Sequence, residues 1–283
     1  MEKEKQKKDQ FVIANLSDLD HTEAVIAYAT NLAHRLNKGL ILLHIIDPQY
    51  HGPDADESET RLQELQNATA LNPQVSSVSY ITLKGNTRDL IESIPTLLNG
   101  VVAVTASDLK ADRRSPLHPK QILKDFSRSK IAYLVVRYDL VPKVFSQVAL
   151  TIDFHRESKE KLIWSSYFAR FGGSQLHVLY HDYKDSGLRQ KWYNNMRFLH
   201  KFFSNLGITF IPHIVSGKAS NVDADALLFI DQAQYDLLVA VTTKEKDLFD
   251  SLLGTQEQRT IRNPQGIPVL FLNPRDDIYV LCD

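Results

Sequence analysis

Apolar residues in this chain come in short runs and helical stripes that follow one another in a fixed order. Phe11–Leu16 is an apolar run closed by Ser17 and Asp18, which predicts a buried strand. From about Asp20, Val25, Tyr28, Leu32 and Leu36 recur at spacings of three and four, the stripe of an amphipathic helix. Asn37 and Gly39 supply its stop. Leu40–Ile46 is apolar almost throughout, as a parallel strand covered on both faces requires. Asp47–Ser58, rich in acids with two prolines and a glycine, reads as a surface loop. A weakly amphipathic helix follows to about Thr69. Val78–Leu83, Val101–Thr105 and Ile131–Arg137 are further strands, with helices opening at Gly85-Asn86 and spanning roughly Lys120–Ser127.

The same order then repeats. Val148–Ile152 is a strand, Asp153 its turn, and Ile163, Tyr167, Phe168 and Phe171 the expected buried face of the next helix, which Gly172-Gly173 stop. Leu176–Tyr180 is the next strand, followed by a helix with Leu188, Trp192, Met196, Leu199, Phe203 and Leu206 on one side. Ile208–Val215, a turn at Gly217, a helix over Val222–Ile230, a strand over Leu237–Val241 and a last strand over Ile267–Leu272 complete the unit. An offset of 135 places Ile13 on Val148, Asp18 on Asp153, Leu36 on Phe171 and Asp47 on Asp182, an offset of 136 places Ser115-x-Leu117 on Ser251-x-Leu253 and Ile131 on Ile267, and VAVT occurs at 102–105 and again at 239–242. An offset held through strands, turns and helices is the mark of a duplicated unit. Strands alternating with helices at this rhythm predict an α/β fold with parallel sheets and right-handed crossovers. The expected division is a tail at 1–10, a first domain at 11–140, a second at 144–274 and an extension at 275–283. The linker Tyr138–Phe145, short and holding Pro142, predicts halves that pack on each other. The extension carries Ile278, Tyr279, Val280 and Leu281, too apolar for a free end, and is expected to cover a sheet edge or part of the surface between the halves.

Composition narrows the function classes. With 283 residues, 43% hydrophobic and 24% charged, the chain has the balance of an ordinary globular protein of two domains. A formal net charge of -1 gives no whole-molecule field for nucleic acid or acidic lipid, and neither is an expected partner. No apolar run approaches a membrane span, and residues 1–10 lack the apolar core of a secretory signal. The one cysteine, Cys282, excludes an internal disulfide framework and agrees with a reducing, cytoplasmic setting.

A strand ending in Asp, a long helix, then LILLHIID, with IPVLFLN at the close, resembles the universal stress protein domain. The likeness runs from Phe11 to Pro274, so the whole chain resembles a tandem member of that family. It implies two Rossmann-like, five-stranded parallel-sheet domains of the adenine-nucleotide alpha hydrolase-like kind. They would be joined as a pseudo-dimer through their last strands, with homodimerisation and an unidentified protein partner as further expectations. Some members bind ATP, the one cofactor the resemblance suggests. In these the aspartate after the first strand and a residue ending the second hold the adenosine, which maps to Asp18 and Ile45 in one half and Asp153 and Tyr180 in the other. A Gly-x2-Gly-x9-Gly-(Ser/Thr) loop after the fourth strand holds the phosphates, because glycines let backbone N–H groups approach phosphate oxygens.

The second half keeps Gly254-Thr255 of that loop, with Val241 and Lys244 at its earlier positions, and Gly217 marks the turn before its third helix. In the first half the loop positions are Thr105, Asp108 and His118-Pro119, so none is glycine. The expected function is a non-catalytic stress-response binding module. Its nucleotide site would be degenerate in the first half and at most partial in the second, where Lys244, Lys246 and Arg259 are candidate phosphate cations.

Two alternatives stand beside it. Asp18-Leu19-Asp20-His21-Thr22 fits the Asp-x-Asp-x-Thr signature of Mg²⁺-dependent phosphatases, with Asp108 and Asp112 at the spacing of a later metal-binding pair. The competing reading makes Asp20 or Thr22 a helix cap, with Glu23 completing a capping box. The other alternative is a structural partner-binding protein whose pockets are filled by its own side chains. Among ten histidines none has zinc spacing, and His44 and His177 read as core or boundary residues. Trp192, Met196, Phe202 and Phe203 read as core or inter-half packing, and Arg113-Arg114 as solvated loop charges.

Overall fold

The computed structural model describes residues 9–50, 55–216, 222–230, 235–242 and 255–275. The apolar runs and stripes of the first half become β1 (Phe11–Asn15), α1 (Glu23–Leu36), β2 (Gly39–Ile46), α2 (Ala55–Ala70), β3 (Val78–Lys84), α3 (Thr87–Leu97), β4 (Gly100–Ser107), α4 (Pro119–Asp125) and β5 (Ala132–Arg137). The second half gives β6 (Gln147–Thr151), a 3-10 turn (Arg156–Glu160), α5 (Lys161–Gly172), β7 (Gln175–Tyr180) and α6 (Ser186–Asn205). It continues with β8 (Phe210–Ile214), α7 (Val222–Ile230), β9 (Leu237–Val241), α8 (Thr255–Ile261) and β10 (Val269–Leu272).

These ten strands form one sheet, ordered β3-β2-β1-β4-β5-β10-β9-β6-β7-β8. Each half is parallel within itself, and the halves meet through antiparallel β5 and β10. Side chains alternate across the sheet, so it carries two cores. Val12, Ala14, Leu40 and Leu42 pack under α1 and α2, with α5 and α6 continuing that layer. Ile13, Ile41, Leu43 and Ala103 pack under α3 and α4, with α7 and α8 beyond them.

At the seam Leu134 pairs with Leu270, Tyr133 with Phe271 and Val135 with Val269. Shifting each residue by 136 exchanges the halves and returns the same pairs, so a pseudo-twofold axis passes by Leu134 and Leu270. Tyr133, fully buried, is stacked 4.7 Å from Phe126 and 5.5 Å from Phe271. The Asn273 side-chain amide donates across the seam to the carbonyls of Phe126 (2.7 Å) and Ser129 (2.9 Å). The linker adds a second tie: the buried Phe145 ring lies 5.5 Å from Tyr28 and 5.4 Å from Phe168, and the Lys143 N–H donates to the Tyr28 hydroxyl.

Three expectations change. Around Asp18 the repeat offset is 136, not 135: Asn15 lies opposite Leu43 as Thr151 lies opposite Leu179, and the left-handed caps Asn37 and Gly173 obey the same shift, whereas Val102 and Leu237, opposite Val12 and Val148, stand 135 apart. Asp153 therefore stands one position nearer its strand than Asp18 does, and the position matching Asp18 is Phe154. Of the expected buried face of α5, only Phe168 is buried. Leu162, Ser165, Ser166 and Phe168 turn inward, while Ile163, Tyr167 and Phe171 are exposed along a groove between the halves. Finally, no capping box opens α1: Thr22 is the cap residue but its side chain makes no cap hydrogen bond. The tail at 1–8 and the apolar run at 278–281 lie outside the described residues.

Because the seam joins two cores, the halves should unfold together. Trp164 and Trp192, the two tryptophans, both lie in the second half, so their fluorescence reports that half while far-UV circular dichroism reports both. The two midpoints in urea should coincide in the native protein. Leu270→Ala, which empties a fully buried site on the seam, should lower the unfolding free energy by about 2–5 kcal/mol in both signals. Two separated transitions would show that the seam does not couple the halves.

Candidate functional site

In the first half β1 is the point where the chain reverses its direction of travel across the sheet. From β1 it crosses through α1 to β2 on one side, and from β4 it crosses through α4 to β5 on the other. The loops leaving β1 and β4 therefore part and leave a crevice at the carboxyl ends of the strands, where open α/β sheets place ligands. A cleft of about 1190 Å³ occupies that place. The end of β1 supplies its floor through Asn15, Ser17 and Asp18, and the end of β2 through His44, Ile45 and Asp47. One wall comes from Glu57, Thr60, Arg61 and Glu64 of α2, and the other from Asp112, Arg114 and Ser115 of the loop after β4.

Each floor residue has a local reason for its position. The Asn15 amide donates to Ser17 Oγ (2.8 Å) and to Thr105 Oγ1 (3.2 Å), tying β1 to β4 at the switch point. Asp18 accepts the Asp20 N–H (2.8 Å) on one oxygen, and His21 Nδ1 lies 2.9 Å from the other. Asp47, buried, accepts the Thr87 N–H (2.6 Å) and so takes the place of an anion at the start of α3. His44 donates from Nδ1 to the Leu16 carbonyl (2.7 Å), since a carbonyl only accepts. Burial pushes its imidazole below the ordinary value, and the bond to Leu16 opposes this in part. The ring is thus neutral at pH 7, with Nε2 as the acceptor.

Behind the cleft, Tyr50 donates to Asp125 Oδ2 (3.2 Å) and the Gln121 amide donates to Oδ1 (2.8 Å). Burial raises the Asp125 carboxyl to about 6 despite both bonds.

Among the described residues, side chains at the corresponding strand ends of the second half engage one another. Buried Lys161 donates from Nζ to Thr151 Oγ1 (2.6 Å) and lies 3.8 Å from Asp223, to which Thr151 is also hydrogen bonded. Burial raises the Asp223 carboxyl, while Lys161 and Thr151 pull it down. Buried His181 has Nε2 3.1 Å from Asp225 Oδ2, though misaligned for a hydrogen bond. Tyr180 packs on Trp192 with ring centroids 5.0 Å apart, and Phe154 meets Tyr183 edge-on.

Of the residues singled out in the sequence, Asp18 and Ile45 come together in the first-half cleft. Asp153 and Tyr180 stand at the ends of β6 and β7, where Asp153 accepts the His155 N–H (2.9 Å) in the same kind of turn that Asp18 makes. Gly217, Lys244, Lys246 and Gly254 lie outside the described residues, Thr255 is the first residue of α8, and Arg259 is exposed. Asp108 and Asp112 accept the N–H groups of Lys110 and Arg114 within their own loop. Among the described residues no group of three or more His, Cys, Asp or Glu side chains is placed to hold a metal ion. The sequence reading missed His44, Asp47 and Tyr50 as cleft residues. Their signal was the polar end of an otherwise apolar strand, HIID followed by PQY.

No protein-family model matches the sequence, and no curated protein sequence matches it. Solved structures match along nearly the whole chain. A universal stress protein from Archaeoglobus fulgidus DSM 4304 superposes with a TM-score of 0.72 at 16% identity, covering 94% of this chain and 97% of that one. A functionally unknown protein from Pseudomonas aeruginosa PAO1 gives 0.65 at 14% identity, covering 96% and 95%. The cytoplasmic domain of a prokaryotic cation chloride cotransporter gives 0.59 at 10% identity, covering 97% and 100%. The chain therefore has the tandem universal stress protein fold, two α/β units fused through their last strands. At such identities the likeness is one of fold, and the cotransporter domain shows the same frame in another setting. Among the described residues no helix is long and apolar enough to cross a membrane.

Asp125 gives the cleft region a pH signature. Its folded carboxyl titrates near 6 against 3.8 for the free group, so the native state holds the proton more tightly. That stability is fully present below about pH 4 and lost as pH rises through about 6, by at most ~3 kcal/mol. Asp125→Asn keeps a neutral side chain throughout. Its melting temperature relative to the native protein should therefore rise between pH 4 and pH 7, and a pH-independent difference would refute the assignment.

Proposed function

We propose that the protein is a non-catalytic binding module of the universal stress protein type, with its small-molecule site in the first-half cleft. The observation that carries this is the open cleft at the switch point, floored by Asp18 and Ile45. In nucleotide-binding members of the family that it resembles, these two positions hold the adenosine. What favours the first half is that, at the matching strand ends of the second, Lys161 is engaged with Thr151 and Asp223, and Tyr180 with Trp192. A binding event in the first half would then be carried through the shared sheet to surfaces that meet a protein partner. A cytoplasmic setting in the stress response and homodimer assembly belong to the same proposal, by analogy with the fold it shares.

The phosphatase reading finds less support in the geometry. A nucleophilic aspartate needs a free oxygen facing phosphorus beside a bound Mg²⁺. Asp18 instead holds its own turn with both oxygens, to the Asp20 N–H and to His21.

The test is a thermal-shift panel of nucleosides, adenine nucleotides with and without Mg²⁺, and small amines, run beside a phosphate-release assay on ATP and an aryl phosphate. At least one compound should raise the melting temperature, since a ligand of the folded state stabilises it. The shift should vanish in Thr60→Trp, which places an indole into the cleft from an exposed helical position. No phosphate should be released. A shift that survives Thr60→Trp, or turnover lost in Asp18→Asn, would overturn the proposal.

A further inference from the structure

We infer that the first-half cleft selects an organic cation rich in N–H donors, and that His44 is the residue that reads those donors. This deepens the site reading above and rests on it. Three independent features of the cleft agree.

The first is charge. Asp18, Asp20, Asp47, Glu57, Glu64 and Asp112 line the cleft against only Arg61 and Arg114. The formal balance of six carboxylates to two guanidinium groups is -4, while the whole chain carries -1. Arg61 is moreover engaged by Glu64 at 3.2 Å. Asp20, Glu57, Glu64 and Asp112 are exposed to solvent, but a concave surface of one sign still concentrates potential in the space it encloses, and here that potential is negative.

The second is the occupied helix end. A phosphate bound at a switch point uses the free N–H groups at a helix start. At α3 the Thr87 N–H is already given to the Asp47 carboxylate and the Asp89 N–H to the Asn86 side chain. An anionic ligand would have to displace a buried carboxylate that already fills this role, and would meet five others on the way.

The third is His44. It is only 5% exposed, yet it lines the cleft. With Nδ1 spent on the Leu16 carbonyl, a neutral ring offers Nε2 as a lone-pair acceptor, and Nε2 has no partner among the described residues. On a residue otherwise buried, that acceptor is reached only from the cleft, and a ligand N–H placed there would bond to it. The protein thus presents a neutral acceptor on the floor and carboxylates on the walls, which is complementary to protonated amines and opposed to polyphosphates.

Isothermal titration at low ionic strength with spermidine, putrescine, adenosine, ATP and inorganic phosphate tests this, with thermal shift as the second readout. Spermidine should bind best, ATP and phosphate should give no heat, and binding should weaken as salt is raised. Asp18→Asn and Asp112→Asn should each weaken spermidine roughly three- to tenfold. His44→Phe should weaken it at least as much and flatten the preference for amines over adenosine. His44→Gln, whose amide keeps both a donor for the Leu16 carbonyl and an acceptor oxygen, should retain the preference for amines, and its loss there would overturn the acceptor role. Tightest binding by ATP would overturn the cation inference and leave the site reading standing. Amine binding that Thr60→Trp and Asp18→Asn leave unchanged would also overturn it, as attraction to acidic surface in general. If no compound binds, the site reading itself fails.

Discussion

Everything in this molecule depends on the antiparallel pairing of β5 with β10. A five-stranded parallel sheet ends in an edge with unpaired N–H and C=O groups, open to any passing strand. Here each half closes the other's edge, and Leu134 with Leu270, Tyr133 with Phe271 and Val135 with Val269 bury the junction on both faces. The pairing also sets the symmetry: because the contact is antiparallel, the second half is turned over its axis relative to the first. The carboxyl ends of the strands, where ligands bind, consequently face opposite ways in the two halves. One shared sheet thus carries two separated sets of strand ends, which can differ in side chains while the frame stays common.

They do differ. In the first half Asn15 spends its amide on Ser17 and Thr105, and the space above is open. At the matching place in the second half stands Thr151, which receives Lys161, and Lys161 in turn faces Asp223. A buried lysine is costly unless it is paired and hydrogen bonded, and both conditions are met. Beside them, among the described residues, Tyr180 packs on Trp192 and Phe154 on Tyr183. The difference lies in side chains that point off the same strand ends, which leaves the register of the sheet untouched.

The frame was legible in the sequence because burial on both faces forces long apolar runs. LILLHII is a strand under any alignment, and the period of the α1 stripe fixes that helix. What was illegible follows from effects that no single copy reveals. The stripe Ile163, Tyr167, Phe171 has helical spacing, but α5 lies beside a groove between the halves, so hydrophobic residues there face outward. The offset of 135 matched Asp18 to Asp153 by residue type, whereas strand pairing counts positions and gives 136. His44 reads as core from its strand and is indeed buried, yet its second ring nitrogen faces an opening that only the fold creates. The expectation of a second-half nucleotide site rested on Gly254-Thr255, which lies at the border of the described residues. The first-half cleft was marked in the sequence by Asp18, Asp20 and Ile45, but its phosphate loop carries no glycine, which directs the expectation to the second half.

Charge shows most clearly why composition could not find it. A net charge of -1 over 283 residues argues against attraction to any polyanion at long range, and at the scale of the whole molecule that remains correct. Yet the Debye length is about 8 Å at physiological ionic strength, so a ligand in the cleft senses only the groups around it. Those groups carry four more negative than positive charges. The compensating cations stand elsewhere, among them Lys38 and Lys130 along the groove between the halves. Recognition depends on this local segregation, and the sheet produces it by gathering into one crevice carboxylates that lie far apart along the chain, from Asp18 to Asp112.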